Sequence, residues 1–145
     1  MKRHTEAGLA VLRIGVGGVF AAHGLQKLIV FGIPGLAGVM TQLGIPFPTL
    51  SALAVTAAEL LGGLALVAGA FTRLAALPLA FSMLVAGLTA HLKGGFFLPS
   101  GVEYVLVLFL ASVSLALTGP GAWAVDNLRR RPAKKVEARE LVEVA

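Results

Sequence analysis

The sequence predicts an all-α fold, a polytopic membrane four-helix bundle with both termini in the cytoplasm. Hydrophobic residues make up 57% of the 145 residues and charged residues only 13%, whereas soluble domains average about 25% charged residues. The charges are also segregated, because no Asp, Glu, Lys or Arg occurs from Leu28 to Ala58 or from Leu74 to Leu92. A soluble domain of this size would need more charge to cover its surface.

Four segments are apolar enough to cross a membrane, which takes about 20 mostly apolar residues in a helix. These predicted spans are residues 8–30, 50–70, 74–91 and 102–118. The connection between the first two spans is uncharged and contains three prolines, so it does not resemble a soluble loop. Within it, residues 35–43 predict a short helix that lies at the membrane interface or re-enters the bilayer.

The basic residues predict the orientation of the spans, because Lys and Arg near span ends favour the cytoplasmic side. Lys2 and Arg3 precede the first span, Arg73 separates the second from the third, and a basic cluster begins at Arg129 after the fourth. Four spans place all of these on one side. We therefore expect a transmembrane domain of residues 1–128 and a basic cytoplasmic tail of residues 129–145, and no nucleic-acid partner.

The absence of cysteine limits the chemistry of the chain. Disulfides, thiolate metal sites and cysteine-bound iron–sulfur clusters are excluded for these residues. No cofactor-binding motif is evident, and no metal site is predicted, since the histidines lack the close spacing typical of metal ligands.

Ionisable side chains inside a membrane each require an explanation, because one at the centre of a helix costs at least ~2.5 kcal/mol. Arg13 lies near the start of the first span, where its long side chain either extends to the cytoplasmic face or has a structural role. Arg73, in a turn, has the same two interpretations. Lys27 lies near the opposite end of the first span and could extend outward to water.

Glu59 lies too deep to extend to water, and His23 also lies well inside the first span. A helical rise of about 1.5 Å per residue places them at similar depths in the outer half of antiparallel spans, so we expect them to face each other. The third and fourth spans bring further polar side chains to the same end. The candidates for ligand binding or proton relay are His23, Gln26, Lys27, Glu59, His91, Glu103 and Tyr104. The alternative interpretation is a structural network that fixes helix packing.

Three runs of sequence together resemble the DoxX family of small bacterial membrane proteins over most of residues 9–117. They are "LRIGVGGVFAAHGLQKL", "AELLGGLALVAGAFTRLAAL" and "HLKGGFFLPSGVEYVLVLF". The resemblance implies a four-span bundle in the bacterial cytoplasmic membrane. Some relatives are associated with quinone-linked oxidation of small sulfur compounds, and others with oxidative-stress complexes that contain soluble partners. The polar residues that the resemblance selects are Arg13, His23, Lys27, Glu59, His91 and Glu103.

Two functions are therefore expected as the main alternatives, and a transporter, which with four spans would have to dimerise, is a third. The first is the membrane subunit of a quinone-linked oxidoreductase or oxidative-stress complex, in which His23, Lys27 and Glu59 bind a quinone and supply protons. Its electrons would come from substrate or from a partner subunit. The second is a non-enzymatic scaffold, or a protein that binds lipid or another small amphiphile. Membrane lipid is a partner in both, while soluble or membrane partner subunits and a homo-oligomer remain open.

Overall fold

The computed structural model describes residues 2–129, and every regular element in this part of the chain is helical. The all-α prediction is confirmed for these residues. The α-helices are α1 (Lys2–Gln26), α2 (Gly32–Gln42), α3 (Pro48–Ala68), α4 (Thr72–Ala86), α5 (Glu103–Thr118) and α6 (Val125–Arg129). A π-helical turn, Lys27–Phe31, joins α1 to α2. A second π-helical turn, Gly87–His91, and a 3₁₀ turn, Leu92–Gly94, extend α4.

Three helical stretches in residues 2–129 are long and apolar enough to cross a membrane. They are Arg3–Gln42, Pro48–Ala68 and Thr72–Gly94, and α5 is apolar but shorter, with 16 residues. Helix α2 corresponds to the short helix predicted after the first span. The predicted tail lies outside the described residues, apart from Arg129 at the end of α6.

The closest helix packing is between α1 and α3, which run antiparallel. A Cβ atom added to Gly63 would lie 2.4 Å from the backbone nitrogen of Ala21, and one added to Gly24 would lie 2.4 Å from that of Leu60. The two backbones are therefore in contact at both levels. Small residues permit this approach, which is a common basis of helix association in membranes.

The four long helices form a closed bundle, because α3 also packs on α4, α4 on α5, and α5 on α1. The buried apolar core is Val16, Phe20, Leu66, Ala76, Leu79, Met83, Val105, Leu108 and Leu115. The outer surface is also apolar, with exposed side chains such as Ile29, Leu61 and Leu117. An apolar surface of this extent is typical of contact with lipid rather than water.

Arg13 lies at the end of the bundle where α1 begins and α3 and α5 end, which we call the latch end. Its side chain is fully buried. Nη1 donates to the carbonyl oxygens of Leu66 (2.7 Å) and Val67 (3.2 Å), and Nη2 to those of Ala122 and Trp123 (both 3.4 Å). Arg13 thus does not extend to the membrane surface. The C-terminal end of α3 carries the negative pole of the helix dipole and attracts a cation, and the guanidinium adds to the bond that Leu66 already accepts from the backbone nitrogen of Gly69.

The segment after α5 folds back onto the latch end. The carboxylate of Asp126 accepts hydrogen bonds from the backbone nitrogens of Phe71 (2.8 Å) and Thr72 (3.0 Å). It therefore caps the first turn of α4 from a distant part of the chain. The backbone nitrogen of Ala122 donates to the carbonyl of Glu6 (2.9 Å). This segment ties the start of α1, the α3–α4 turn and the end of α5 together.

Candidate ligand-binding site

A cavity of about 770 Å³ lies among α1 to α5 at the opposite end of the bundle, which we call the cavity end. Ligand pockets in proteins commonly measure about 300–1,000 Å³. The apolar part of its lining includes Leu36, Val39, Met40 and Leu43 of α2, Val55 and Ala58 of α3, and Phe81, Met83 and Val85 of α4. Five of the predicted site residues also line it, namely His23, Lys27, Glu59, His91 and Tyr104.

Lys27 and Glu59 form an ion pair across α1 and α3, with 2.5 Å between Nζ and Oε2. The Glu59 side chain is 2% exposed and that of Lys27 is 20% exposed. Lys27 therefore turns into the bundle instead of extending outward to water. It also takes the position beside Glu59 that helical geometry had suggested for His23. Gly24, which packs on Leu60, marks the side of the first helical stretch that meets α3, and Lys27 lies about one turn further along that side.

His23 pairs with Tyr104 on α5, with 3.2 Å between Nε2 and the phenol oxygen and 6.0 Å between the ring centroids. Gly24 packs against Leu60, so the neighbouring residues His23 and Glu59 lie at the same depth in the bundle. The imidazole, however, is directed to α5 rather than to the carboxylate. One polar pair starts from His23 in α1 and the other from Lys27 in the π-helical turn that follows it, and all four side chains line the cavity as one polar cluster.

His91 contributes a hydrogen-bond acceptor to the cavity lining. Its Nδ1 lies 3.0 Å from the carbonyl oxygen of Ala86. A carbonyl oxygen only accepts, so Nδ1 carries the proton, and in the neutral ring Nε2 is then an acceptor. The second π-helical turn begins directly after Ala86 and ends at His91.

Gln26 and Glu103 lie outside the cavity lining. Gln26 is exposed. The Oε1 atom of Glu103 accepts a hydrogen bond from the backbone nitrogen of Leu98 (2.8 Å) and so ties the α4–α5 loop to the start of α5. Arg73 is exposed, and its Nη2 donates to the carbonyl of Thr118 at 3.4 Å. Among residues 2–129, no three His, Asp or Glu side chains converge closely enough to hold a metal ion.

Both π-helical turns occur at the cavity end, and both contribute polar residues to the cavity lining, Lys27 from the first and Thr89 and His91 from the second. Short π-helical insertions are frequent at functional sites, because they redirect side chains inside an otherwise regular helix. No composition signal predicts them here. The polar residues themselves were identifiable because ionisable groups are rare within apolar segments.

The cluster offers both donors and acceptors to a ligand. A Lys27 ammonium has three N–H donors and uses one on Glu59, so two are available. Tyr104 and His23 share one hydrogen bond, which either partner could exchange for a bond to a ligand. The arrangement suits a small head group with several oxygen atoms, attached to an apolar body.

The apolar exterior, the helical bundle and the polar cluster within it define a multi-pass membrane protein. More specifically, the chain belongs to the DoxX family, whose model matches residues 8–92. The family and the membrane location suggested by the sequence are thereby confirmed.

Several curated relatives match nearly the whole chain. A Bacillus subtilis protein named "Putative oxidoreductase CatD" is 33% identical over 127 residues, which cover 87% of this chain and 90% of the relative. An uncharacterized protein of Haemophilus influenzae is 35% identical, covering 88% of this chain and 94% of the relative. An uncharacterized membrane protein of Mycobacterium tuberculosis is 31% identical, covering 93% and 88%. No solved structure matches the chain significantly.

Proposed function

We propose that the protein is the membrane subunit of a quinone-linked oxidoreductase and that its cavity binds the quinone. The observation that supports this most strongly is the pairing of a large apolar cavity with a cluster of proton-bearing side chains on one wall. The name of the Bacillus subtilis relative, an oxidoreductase, is consistent with this assignment.

The residues fit a quinone head group. A quinone presents two carbonyl oxygens, which accept hydrogen bonds, and the cluster has donors for both. Lys27 retains two N–H donors beyond the one that it uses on Glu59, and Tyr104 has a phenolic O–H. His91 adds an acceptor that suits a hydroxyl of the reduced form, through the nitrogen left free by its bond to Ala86.

A bound quinone takes up two electrons and two protons and becomes a quinol. The side chains of this cluster hold and replace the protons. Tyr104 holds one on its phenol oxygen, and His23 at 3.2 Å can replace it. The second proton comes from the Lys27 ammonium, which its ion pair with Glu59 holds beside the cavity. The electrons come from a small reduced substrate or from a partner subunit.

We further propose four spans with both termini in the cytoplasm. Helix α5 measures about 24 Å at 1.5 Å per residue, slightly less than the ~30 Å hydrocarbon core, a mismatch that bilayers accommodate at modest cost. The contact of Arg73 with Thr118 and that of Ala122 with Glu6 support a common side for the basic ends. On this topology residues 1–128 form the membrane domain and the basic tail is cytoplasmic.

Two tryptophan substitutions on α3 test the binding site. Ala58 lines the cavity, whereas Leu61 is 64% exposed on the outer surface and does not line it. We expect Ala58→Trp to fill the cavity and lower quinone affinity at least about tenfold, which corresponds to ~1.4 kcal/mol. Leu61→Trp should bind as the wild type does. Binding is measured with purified protein in lipid nanodiscs, using a decyl-tailed benzoquinone. Equal affinity in both variants would disprove the site.

The second candidate is a scaffold or amphiphile-binding protein in which the polar cluster only fixes the bundle. It is favoured by the mutual pairing of the polar groups, Lys27 with Glu59 and His23 with Tyr104. Glu59→Gln separates the candidates. The oxidoreductase loses quinone-linked turnover while the bundle stays folded, whereas the scaffold loses stability and shows no turnover in the wild type either.

A further inference from the structure

The cavity reaches the outer surface of the bundle between α2 and α4. Phe81 on α4 lines the cavity and is 67% exposed, and Val39 on α2 lines it and is 43% exposed. Among the large hydrophobic side chains that line the cavity these two are the most exposed, ahead of Tyr104 in the polar cluster at 37%, and we infer that they mark an opening. Helix α2 packs on α3, while α4 packs on α3 and α5. The facing edges of α2 and α4 therefore form the sides of this opening, which we call the lateral mouth.

The lateral mouth and the polar cluster lie on different walls of the cavity. The cluster is built on α1 and is joined to α3 and α5 through Glu59 and Tyr104. The walls nearer the mouth are largely apolar, with Met40 and Leu43 from α2 and Val85 from α4. An amphiphile in the cavity thus has one favourable orientation, with its polar head at the cluster and its apolar part toward the mouth.

We propose that the ligand enters through the lateral mouth from the bilayer, and that the tail of a bound quinone passes between α2 and α4 into lipid. This inference rests on the proposed function and specifies its substrate class: a lipid-dissolved quinone with an apolar tail, rather than a short, water-soluble one. The surface around the mouth is apolar, with exposed Phe81 and Val39, so the tail remains in surroundings like those of the bilayer.

The affinity for a tailed quinone is a poor test of this route. Lipid chains are as apolar as the side chains that line the mouth, so moving the tail from lipid into the mouth contributes little free energy. The position of the tail is the informative quantity. A quinone with a diazirine on its tail, close to the ring, reports that position directly through photolabelling.

The experiment uses the full chain in lipid nanodiscs with this tail-labelled decyl benzoquinone, followed by mass spectrometry of the labelled peptides. We expect labelling at Phe81 and Val39, and loss of that labelling to background when excess unlabelled decyl benzoquinone is added. Leu77, on the same helix as Phe81, is 57% exposed and does not line the cavity. Its labelling from bulk lipid should not respond to the competitor.

The outcomes separate the entry route from the proposed function. If the competitor leaves labelling at Phe81 unchanged while Ala58→Trp still abolishes quinone binding, the lateral route is wrong and the site stands. If the wild type binds no quinone, both the lateral route and the proposed binding site are wrong.

A tryptophan at position 39 tests the route independently, because Val39 lines the cavity and a larger side chain there narrows the mouth. The matched control is a tryptophan at the neighbouring Gly38, whose Cβ position is open. Val39→Trp, but not Gly38→Trp, should slow quinone association, and equal rates would contradict the route.

Discussion

The two ends of the bundle both bury ionised side chains, yet they use them differently. At the latch end, Arg13 is held by backbone carbonyls from two separate segments and lies in close-packed surroundings. At the cavity end, Lys27 and Glu59 are held by each other and face an open volume. Backbone partners are fixed, whereas side-chain partners can be exchanged for a ligand. A buried charge therefore indicates a functional site only when its partner is a side chain that a ligand can replace.

The largest loss of stability is expected from replacing Arg13 at the latch end. Arg13→Leu removes four hydrogen bonds to backbone carbonyls and the charge at the end of α3, and we expect a loss of about 3 kcal/mol in the free energy of unfolding. Arg73→Leu is the control, since Arg73 is exposed and makes one long hydrogen bond; it should cost less than about 0.5 kcal/mol. Unfolding in mixed micelles measures both. Similar losses in the free energy of unfolding for the two variants would show that the contacts of Arg13 stabilise the fold no more than the exposed contact of Arg73.

The next effect tests the contact between α1 and α3. A methyl group at Gly63 would overlap the backbone of Ala21, so Gly63→Ala should cost about 1–3 kcal/mol, as overpacking does. Gly18, on α1, has no neighbour within 4 Å of its Cβ position. Gly18→Ala should be neutral or stabilise by up to about 1 kcal/mol through helix propensity. Thermal unfolding of both variants measures the difference. An unchanged unfolding temperature for Gly63→Ala would exclude backbone contact between α1 and α3 at Gly63.

The cavity end should respond asymmetrically to loss of its ion pair. Lys27→Met leaves Glu59 buried at 2% exposure without a partner. Glu59→Gln leaves Lys27, which is 20% exposed and long enough to turn outward. We therefore expect Lys27→Met to be more destabilising than Glu59→Gln by about 1–2 kcal/mol. Equal losses in the free energy of unfolding would mean that Lys27 cannot leave the bundle.

The smallest change in stability is expected for Tyr104→Phe, which removes one hydrogen bond to His23 and keeps the ring. The cost should be about 0.5–1 kcal/mol. Quinone-linked turnover should fall far more, by about a hundredfold, because the variant loses a proton donor. Leu106→Ala, also on α5 but away from the cavity, is the control and should keep full turnover. A fully active Tyr104→Phe would exclude the phenol from proton transfer.

The sequence was sufficient for the helices but not for the pairing of their side chains. Length and hydropathy predicted the four apolar helices and α2 closely, because both are local properties. The choice of Lys27 over His23 as the partner of Glu59 depends on how the helices pack, because the two residues lie four apart on one side of the same helical stretch and local sequence does not distinguish them. The role of Asp126 was missed for a different reason, since residues that cap a helix normally lie next to it in sequence.

The acceptors of Arg13 are synthesised long after Arg13 itself, so its contacts form late in the synthesis of the chain. The carbonyl of Leu66 follows it by 53 residues, and those of Ala122 and Trp123 by 109 and 110 residues. A ribosome therefore delivers Arg13 to the membrane long before its last acceptors exist. During that interval the guanidinium depends on lipid head groups, water or the insertion machinery. The contacts of Arg13 are therefore completed only when nearly the whole membrane domain has been made.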